Sequence, residues 1–208
     1  MPQTVSPKTQ EKQKFLLTSR SPLSTPLNIS LIAVFAAIIA AASLAPAIPT
    51  GGVGVPITLQ TLAVFLTALI LGGLRGSLAV LLYLVVGFIG LPVFAKFNSG
   101  IGVLSGASAG YLLAFPIAAL IAGTLATVIL RRGKFNFILL FLAAMAGSFI
   151  AIHPMGIGGM MLNADLSFTD AFKTDMTFWI GDVIKNLLAT TIAIAVLKAF
   201  PQLAARKF

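Results

Sequence analysis

The chain has 208 residues, of which 58% are hydrophobic and 9% are charged, and its formal net charge at pH 7 is +9. Together with a mean hydropathy of +1.04, these values leave too little polar surface for a soluble domain, and they exclude a secreted, disordered or nucleic-acid-binding protein. The sequence has no cysteine and one histidine, which excludes thiolate metal sites and disfavours most other metal enzymes. The composition predicts an integral membrane protein surrounded by membrane lipid.

Apolar stretches account for most of the chain. A helix needs about 20 apolar residues to cross the hydrocarbon core, and Gly, Pro and charged residues separate six stretches that approach this length. They predict an all-α bundle of six transmembrane helices at residues 27–44, 58–71, 77–91, 107–130, 135–152 and 178–200. We interpret the first as a retained span and not as a cleaved signal peptide, because no long polar region follows it.

The basic residues indicate the orientation of the bundle. Residues 1–26 combine Lys and Arg with Pro, Ser and Thr, which predicts a disordered cytoplasmic tail before a membrane domain at residues 27–200. Most other Lys and Arg residues lie in the turns at residues 72–76 and 131–134 and in the tail at residues 201–208. The positive-inside rule then makes both termini cytoplasmic, and we expect a multi-pass protein of the plasma membrane.

The strongest site signal is the pair Asp182 and Lys185 in the last span. An ionisable group inside a span costs a few kcal/mol on insertion scales and is functional by default. The i, i+3 spacing places both side chains on one helix face, about 6 to 11 Å from the outer end of the span. A carboxylate acceptor beside an ammonium donor suits an uncharged head group such as an amide or a ureido group. A structural ion pair, with Lys185 extending to the interface, is the alternative.

Further polar candidates border the outer connections. Thr58, Gln60 and Thr61 follow a charge-free loop rich in Gly and Pro at residues 46–56. This composition predicts a lid that closes over a ligand, although any turn needs the same residues. Asn98, in the next outer connection, is a candidate donor to a substrate carboxylate.

The predicted connection at residues 153–177 is long enough to hold a short helix, and Lys173 is its only Lys or Arg residue. It carries Asp165, Asp170 and Asp175, which we expect to be in contact with water. His153 would be an interfacial residue at the end of span five. With no second histidine in the sequence, it does not indicate a zinc site.

The first span carries overlapping pairs of small residues. Ala33, Ala37 and Ala41 follow one another at intervals of four residues, and Ala36 and Ala40 form a parallel row. Small side chains let another helix approach closely. That helix belongs either to the same bundle or to a separate subunit, and both interpretations remain open.

Absent motifs narrow the function classes. No G-x-x-x-x-G-K-[ST] loop occurs in the sequence, so the chain does not hydrolyse ATP in the P-loop manner by itself. A small membrane enzyme acting on lipid would use Asp182 as its base, but few further polar groups lie inside the spans to assist it. A scaffold without a ligand would leave Asp182 and Lys185 buried for no reason.

Three segments lie almost continuously between Val53 and Gly123, and they read GVPITLQTLAVFLTALILG, RGSLAVLLYLVVGFIGLPVFA and GASAGYLLAFPIA. They resemble the BioY family, the biotin-specific substrate-binding (S) components of energy-coupling-factor (ECF) transporters. The GDVIK sequence that ends at Lys185 resembles the polar element of that family's last span. The family commonly has threonine and glycine before its GYL sequence, where this chain has Ser108 and Ala109.

The resemblance implies a six-helix S component that captures biotin outside the cell. A transmembrane coupling subunit and two ATPases would reorient it for delivery, and the alanine rows would dock on the coupling subunit. Asp182 and Lys185 would hold the ureido ring of biotin, and Asn98 its valerate end. Tyr83 and neighbouring apolar residues would hold the thiophane ring and the chain. Biotin is then the ligand, no cofactor or metal is expected, and an S component for a different vitamin is the alternative.

Overall fold

A computed structural model describes residues 25–49, 54–132 and 135–204 of the chain. Its helices are α1 (Thr25–Leu44), α2 (Gln60–Leu71), α3 (Gly73–Phe88), α4 (Ala109–Arg131), α5 (Phe137–Gly147), α6 (His153–Asn163), α7 (Phe168–Ala199) and α8 (Pro201–Ala204). Most of the predicted N-terminal tail and the last residues of the predicted C-terminal tail lie outside the described residues. The connection between α3 and α4 contains two short 3₁₀ turns, Ala95–Phe97 and Ile101–Ser105.

Four helical stretches are long and apolar enough to cross a membrane. They are Thr25–Leu44, Ala109–Arg131, Phe137–Asn163 and Phe168–Ala199. The remaining apolar helices, α2 and α3, have 12 and 16 residues. Large apolar side chains also cover the outside of the bundle, as at Ile138 and Ile180, which are 66% and 77% exposed. Such a surface suits lipid and not water. The chain is therefore a helical membrane protein, as its composition predicts.

The central helix of the bundle is α4, which packs against α2, α3, α5 and α6, while α7 packs against α2, α5 and α6. Glycine makes some of these close approaches possible. Gly110 of α4 faces Gly159 of α6, and a Cβ atom on Gly159 would lie 2.6 Å from the backbone nitrogen of Gly110. A side chain at Gly159 would push the two helices apart, so this contact fixes α6 beside α4.

The prediction of a connection at residues 153–177 is wrong. One π-helical turn, Ser148–Ile152, joins α5 to α6, so a single helix continues to Asn163. After a break of four residues, α7 begins at Phe168. Glycine and aspartate favour loops in an isolated segment, but here Gly156 and Gly159 pack closely against α4, and buried donors pair with Asp175.

The early start of α7 places the ionisable pair further from the end of its helix. The hydroxyl of Ser167 caps the helix by accepting a hydrogen bond from the backbone amide of Asp170 at 3.2 Å. Asp182 consequently lies about 21 Å along the axis from the first residue of α7 at the normal rise of a helix. The predicted position close to the end of a shorter helix is therefore wrong.

The two alanine rows of α1 face in different directions. Ala33, Ala37 and Ala41 are exposed on the outside of the bundle, whereas Ala36 is buried and Ala40 is half-buried against the core. The prediction that Ala36 belongs to a docking surface is therefore wrong, because its own bundle covers it, whereas Ala40 is only partly covered. The outer row stays accessible to another helix.

Candidate ligand-binding site

A cavity of about 170 Å³ lies between α2, α4 and α7, bordered by the loop before α2 and by the connection between α3 and α4. Its apolar lining residues include Val55, Pro56, Ile57, Phe94, Val103, Leu112, Phe115, Ile152 and Phe178. Its polar lining residues are Thr58, Gln60, Thr61, Lys96, Asn98, Ser108, Tyr111, Asp182 and Lys185. An apolar cleft with a few convergent polar groups is typical of a small-molecule site. Of the predicted ligand-binding residues, Tyr83 alone does not line it.

The buried polar group of the cavity consists of Asp182, Lys185 and Thr61. The Lys185 ammonium donates to Asp182 Oδ1 and to Thr61 Oγ1, each at 3.1 Å. The Thr61 hydroxyl lies 3.2 Å from the same oxygen of Asp182. Asp182 and Lys185 are only 4% and 9% exposed, so little water screens their interaction. The predicted pair is thus in contact, and Thr61 adds a group that both donates and accepts.

A second carboxylate, Asp175, lies behind this group. It accepts hydrogen bonds from the Tyr111 hydroxyl at 2.8 Å and from Trp179 Nε1 at 2.9 Å. Its Oδ2 also lies 2.9 Å from Nδ1 of His153. The other ring nitrogen of His153, Nε2, lies 3.8 Å from Asp182 Oδ2. The imidazole therefore stands between the two carboxylates.

The predicted interfacial position of His153 and the predicted aqueous position of Asp175 are wrong, since these residues are only 3% and 0% exposed. The sequence does contain a signal for them. Asp175, Trp179 and Asp182 follow one another at intervals of four and three residues, which places them on one face of a helix. The signal is visible only when α7 is taken to start at Phe168, and not ten residues later.

Tyr83 supports the cavity from outside. Its side chain is 1% exposed, and its hydroxyl accepts a hydrogen bond from Gln60 Nε2 at 2.8 Å. The same hydroxyl lies 3.1 Å from Ser43 Oγ and 3.2 Å from the carbonyl oxygen of Val93. Its ring packs edge-on against Phe94, with 5.5 Å between the ring centroids. Tyr83 thus holds two lining residues, Gln60 and Phe94, and does not line the cavity itself.

The loop residues of the cavity are more exposed. Asn98 Nδ2 donates to the carbonyl oxygen of Ala95 at 3.0 Å, and Thr58 Oγ1 accepts from the Gln60 amide at 3.3 Å. Lys96, between Ala95 and Asn98 in the chain, has a φ of 59°, a left-handed conformation uncommon for a residue with a side chain. These residues place one cation and one amide at the cavity.

The loop before α2, predicted as a lid, is closed by a pair of backbone hydrogen bonds. Ile48 and Ile57 exchange N–H···O bonds of 2.9 Å in both directions. Val55 and Pro56 of this loop line the cavity. Residues 50–53, at the centre of the predicted lid, lie outside the described residues.

The described residues form no metal site, because they contain no group of three or more His, Asp or Glu side chains that could hold an ion. The chemistry available in the cavity is hydrogen bonding and ion pairing. Asp182 accepts, Lys185 donates, and the hydroxyl of Thr61 does both. This set matches a neutral ligand group that combines N–H donors with a carbonyl oxygen.

Comparisons with known proteins agree with these features. The model of the BioY family matches residues 12–202. The protein named biotin transporter BioY from Rhizobium etli is 37% identical over 182 residues, which cover 86% of this chain and 97% of the relative. Biotin transporter BioY2 from Lactococcus lactis subsp. cremoris is 40% identical over 174 residues, or 83% of this chain and 91% of the relative.

A solved structure has the same fold. It is the crystal structure, at 2.1 Å, of the S-component for biotin from an ECF-type ABC transporter. The two structures superpose with a TM-score of 0.78, at 22% sequence identity, over 94% of this chain and 95% of the other. The family model covers nearly the whole chain and relatives above 30% identity match along most of their length, so this chain is a member of the BioY family.

Proposed function

We propose that this protein captures biotin and carries it across the cell membrane as the S component of an ECF-type importer. The observation that carries the proposal is the buried group of Asp182, Lys185 and Thr61 in the wall of an otherwise mainly apolar cavity. Biotin has a polar ureido ring, an apolar thiophane ring and chain, and a terminal carboxylate. The cavity offers a partner for each of these parts, and the relatives are named as biotin transporters.

The ureido ring belongs beside the buried pair. Its N–H groups donate to the carboxylate of Asp182, and its carbonyl oxygen accepts from the ammonium of Lys185. An ammonium has three donors, and two of them already reach Asp182 and Thr61, so one remains for the ligand. Hydrogen bonds to a charged partner contribute about 1.5 to 3 kcal/mol each. They favour a ureido group over an apolar ring.

The carboxylate of biotin belongs at the loop between α3 and α4. Lys96 supplies a positive charge there, and the amide of Asn98 supplies a donor, since only one of its two N–H bonds is directed at Ala95. Phe94, Phe115 and other apolar side chains enclose the thiophane ring and the chain. Tyr83 serves binding indirectly, because it holds Gln60 and Phe94 in place.

The proposed topology has six spans with both termini in the cytoplasm. The four long helices account for four crossings, and the α2–α3 hairpin supplies the other two with help from its flanking loop residues. Gly72, the single residue between these helices, has a φ of 78°, which favours glycine and permits the abrupt reversal. Arg75 and Arg131 lie at the two turns that the positive-inside rule assigns to the cytoplasm. This is the arrangement of a multi-pass protein of the plasma membrane.

The partners of the protein follow from what the chain lacks and what it exposes. The sequence has no P-loop, so uptake driven by ATP needs separate ATPase subunits. The outer row on α1, formed by Ala33, Ala37 and Ala41, presents a smooth strip outside the bundle. A transmembrane coupling subunit that carries two ATPases would pack against this strip.

Calorimetric titration of the purified full-length chain with biotin tests the function directly. We expect saturable binding of one biotin per chain, with riboflavin and thiamine as comparison ligands that do not compete. If biotin gives no binding while circular dichroism shows the folded helical protein, the proposal fails. If riboflavin or thiamine binds more tightly than biotin, the protein serves another vitamin.

A further inference from the structure

His153 is buried beside the binding residues without lining the cavity. Its side chain contacts two carboxylates, one through each ring nitrogen: Nδ1 lies 2.9 Å from Asp175 Oδ2, and Nε2 lies 3.8 Å from Asp182 Oδ2. Nε2 is buried and has no hydrogen-bond partner among the described residues. A buried polar atom without a partner costs free energy, so the charge state of this ring needs a physical explanation.

The charges of the buried cluster formed by Asp175, His153, Asp182 and Lys185 supply this explanation. Asp175 accepts hydrogen bonds from Tyr111 and Trp179 and faces His153 as well; a carboxylate that receives this many donors is ionised. Asp182 is ionised beside Lys185. With a neutral imidazole the buried cluster would carry one uncompensated negative charge, which is costly in a low-dielectric interior. With a cationic imidazole the two carboxylates and two cations balance.

The geometry of the ring agrees with the cation. If the neutral ring donates its Nδ1 proton to Asp175, the lone pair of Nε2 points toward the carboxylate of Asp182, and the two repel. In the imidazolium both nitrogens carry protons, so each faces an acceptor. The movement needed for a hydrogen bond from Nε2 to Asp182 is less than 1 Å by comparison with ordinary N–H···O distances of about 3 Å.

The other groups around the ring do not compensate the charge. The rings of Phe149 and Trp179 pack on the imidazole with centroids 4.6 and 5.9 Å away. Tyr111, from α4, reaches the cluster through Asp175, and Lys185 lies on the far side of Asp182. The charges that face the ring are therefore those of the two carboxylates.

We propose that His153 is a cationic positioning residue for ligand binding. The imidazolium holds Oδ2 of Asp182, so that Oδ1, shared with Lys185 and Thr61, keeps its place at the cavity. This inference rests on the proposed function, since biotin is the ligand whose binding it supports. Without this contact the carboxylate of Asp182 is free to turn, so biotin affinity falls when the imidazolium is removed.

The single histidine of the chain permits a direct test on the full-length protein, purified through a tag that contains no histidine. Nitrogen-15 spectroscopy of histidine-labelled, biotin-bound protein at pH 7 should show both ring nitrogens protonated. His153→Gln should weaken biotin binding about tenfold to a hundredfold, the loss expected for one charge-assisted hydrogen bond. Thr190→Val is the matched control, because it removes a buried hydroxyl of α7 that has no partner among the described residues, and it should bind as the parent does.

The outcomes separate this inference from the proposed function. If the parent protein binds no biotin, the proposed function fails whatever the state of the ring. If it binds biotin while the imidazole is neutral at pH 7, only the present inference is overturned. If His153→Gln binds biotin as tightly as the parent protein does, this too overturns only the present inference. Should this variant not fold, the spectrum of the parent protein still decides.

Discussion

The pair Asp182 and Lys185 is expected to bind the ligand as one unit, and a double-mutant cycle can measure this. Asp182→Asn keeps the shape of the side chain but removes the charge that receives the Lys185 ammonium at 3.1 Å. Lys185 is then left with Thr61 as its partner in a site where it is only 9% exposed. Truncation of one member of a buried charged pair costs about 2 to 4 kcal/mol. The affinity for biotin should therefore fall about thirtyfold to a thousandfold.

The second half of the cycle removes the partner. Lys185→Met alone should weaken binding by a similar factor, because it leaves a carboxylate beside the ligand without its cation. The double variant should lose less than the sum of the two single losses, since residues in contact are not additive. Calorimetric titration of the four proteins with biotin gives the coupling energy. Asp170→Asn, which makes the same change at an exposed position of α7, should leave the affinity unaltered.

Unchanged affinity in both single variants, in protein that is still folded and inserted, would refute the reasoning. The pair would then have a structural role, and the ligand would have to be held by the loop residues. Strict additivity in the cycle would refute the narrower claim that the two side chains act together.

Three further predictions concern topology, docking and packing. In intact cells, a cysteine introduced at Lys134 should resist an impermeant thiol reagent, whereas one at Asp170 should react; the native chain contributes no cysteine background. Leucine at Ala37 and Ala41 together should reduce ATP-driven biotin uptake, because larger side chains keep a partner helix away, while calorimetry shows unchanged biotin binding by the isolated chain. Gly159→Ala should lower the thermal unfolding temperature by an amount equivalent to about 1 to 3 kcal/mol, because the added Cβ would clash with α4.

Each of these three predictions would be contradicted by a specific result. Reversed labelling of the two cysteines would invert the proposed topology and place the cavity on the cytoplasmic side. An equal loss of binding and uptake in the alanine variant would mean that the outer row of α1 serves internal packing. An unfolding temperature of Gly159→Ala equal to that of the parent would show that α4 and α6 can separate without cost.

The membrane class and the central ionisable pair could be predicted from the sequence, because both depend on local properties. Hydropathy over about 20 residues decides whether a helix can lie in lipid, and an i, i+3 spacing places Asp182 and Lys185 on one face of any helix. The GYL and GDVIK segments are each continuous in the chain, so their resemblance to the BioY family is also visible without the tertiary structure. The positions of the loops could be predicted less well from the sequence, because glycine and aspartate occur both in turns and in packed helices.

The tertiary structure decided which polar groups meet. Thr61 joins Asp182 across 121 residues, and His153 joins Asp175 across 22; no local pattern specifies such pairings. Asp175 is tolerated inside a helix only because donors from other parts of the fold satisfy it, and without those donors its neighbourhood resembles an aqueous loop. Tyr83 and Ala36 show the same dependence. Their residue types suited a ligand contact and a docking surface, but neighbouring helices cover both side chains, and burial is a property of the assembled bundle.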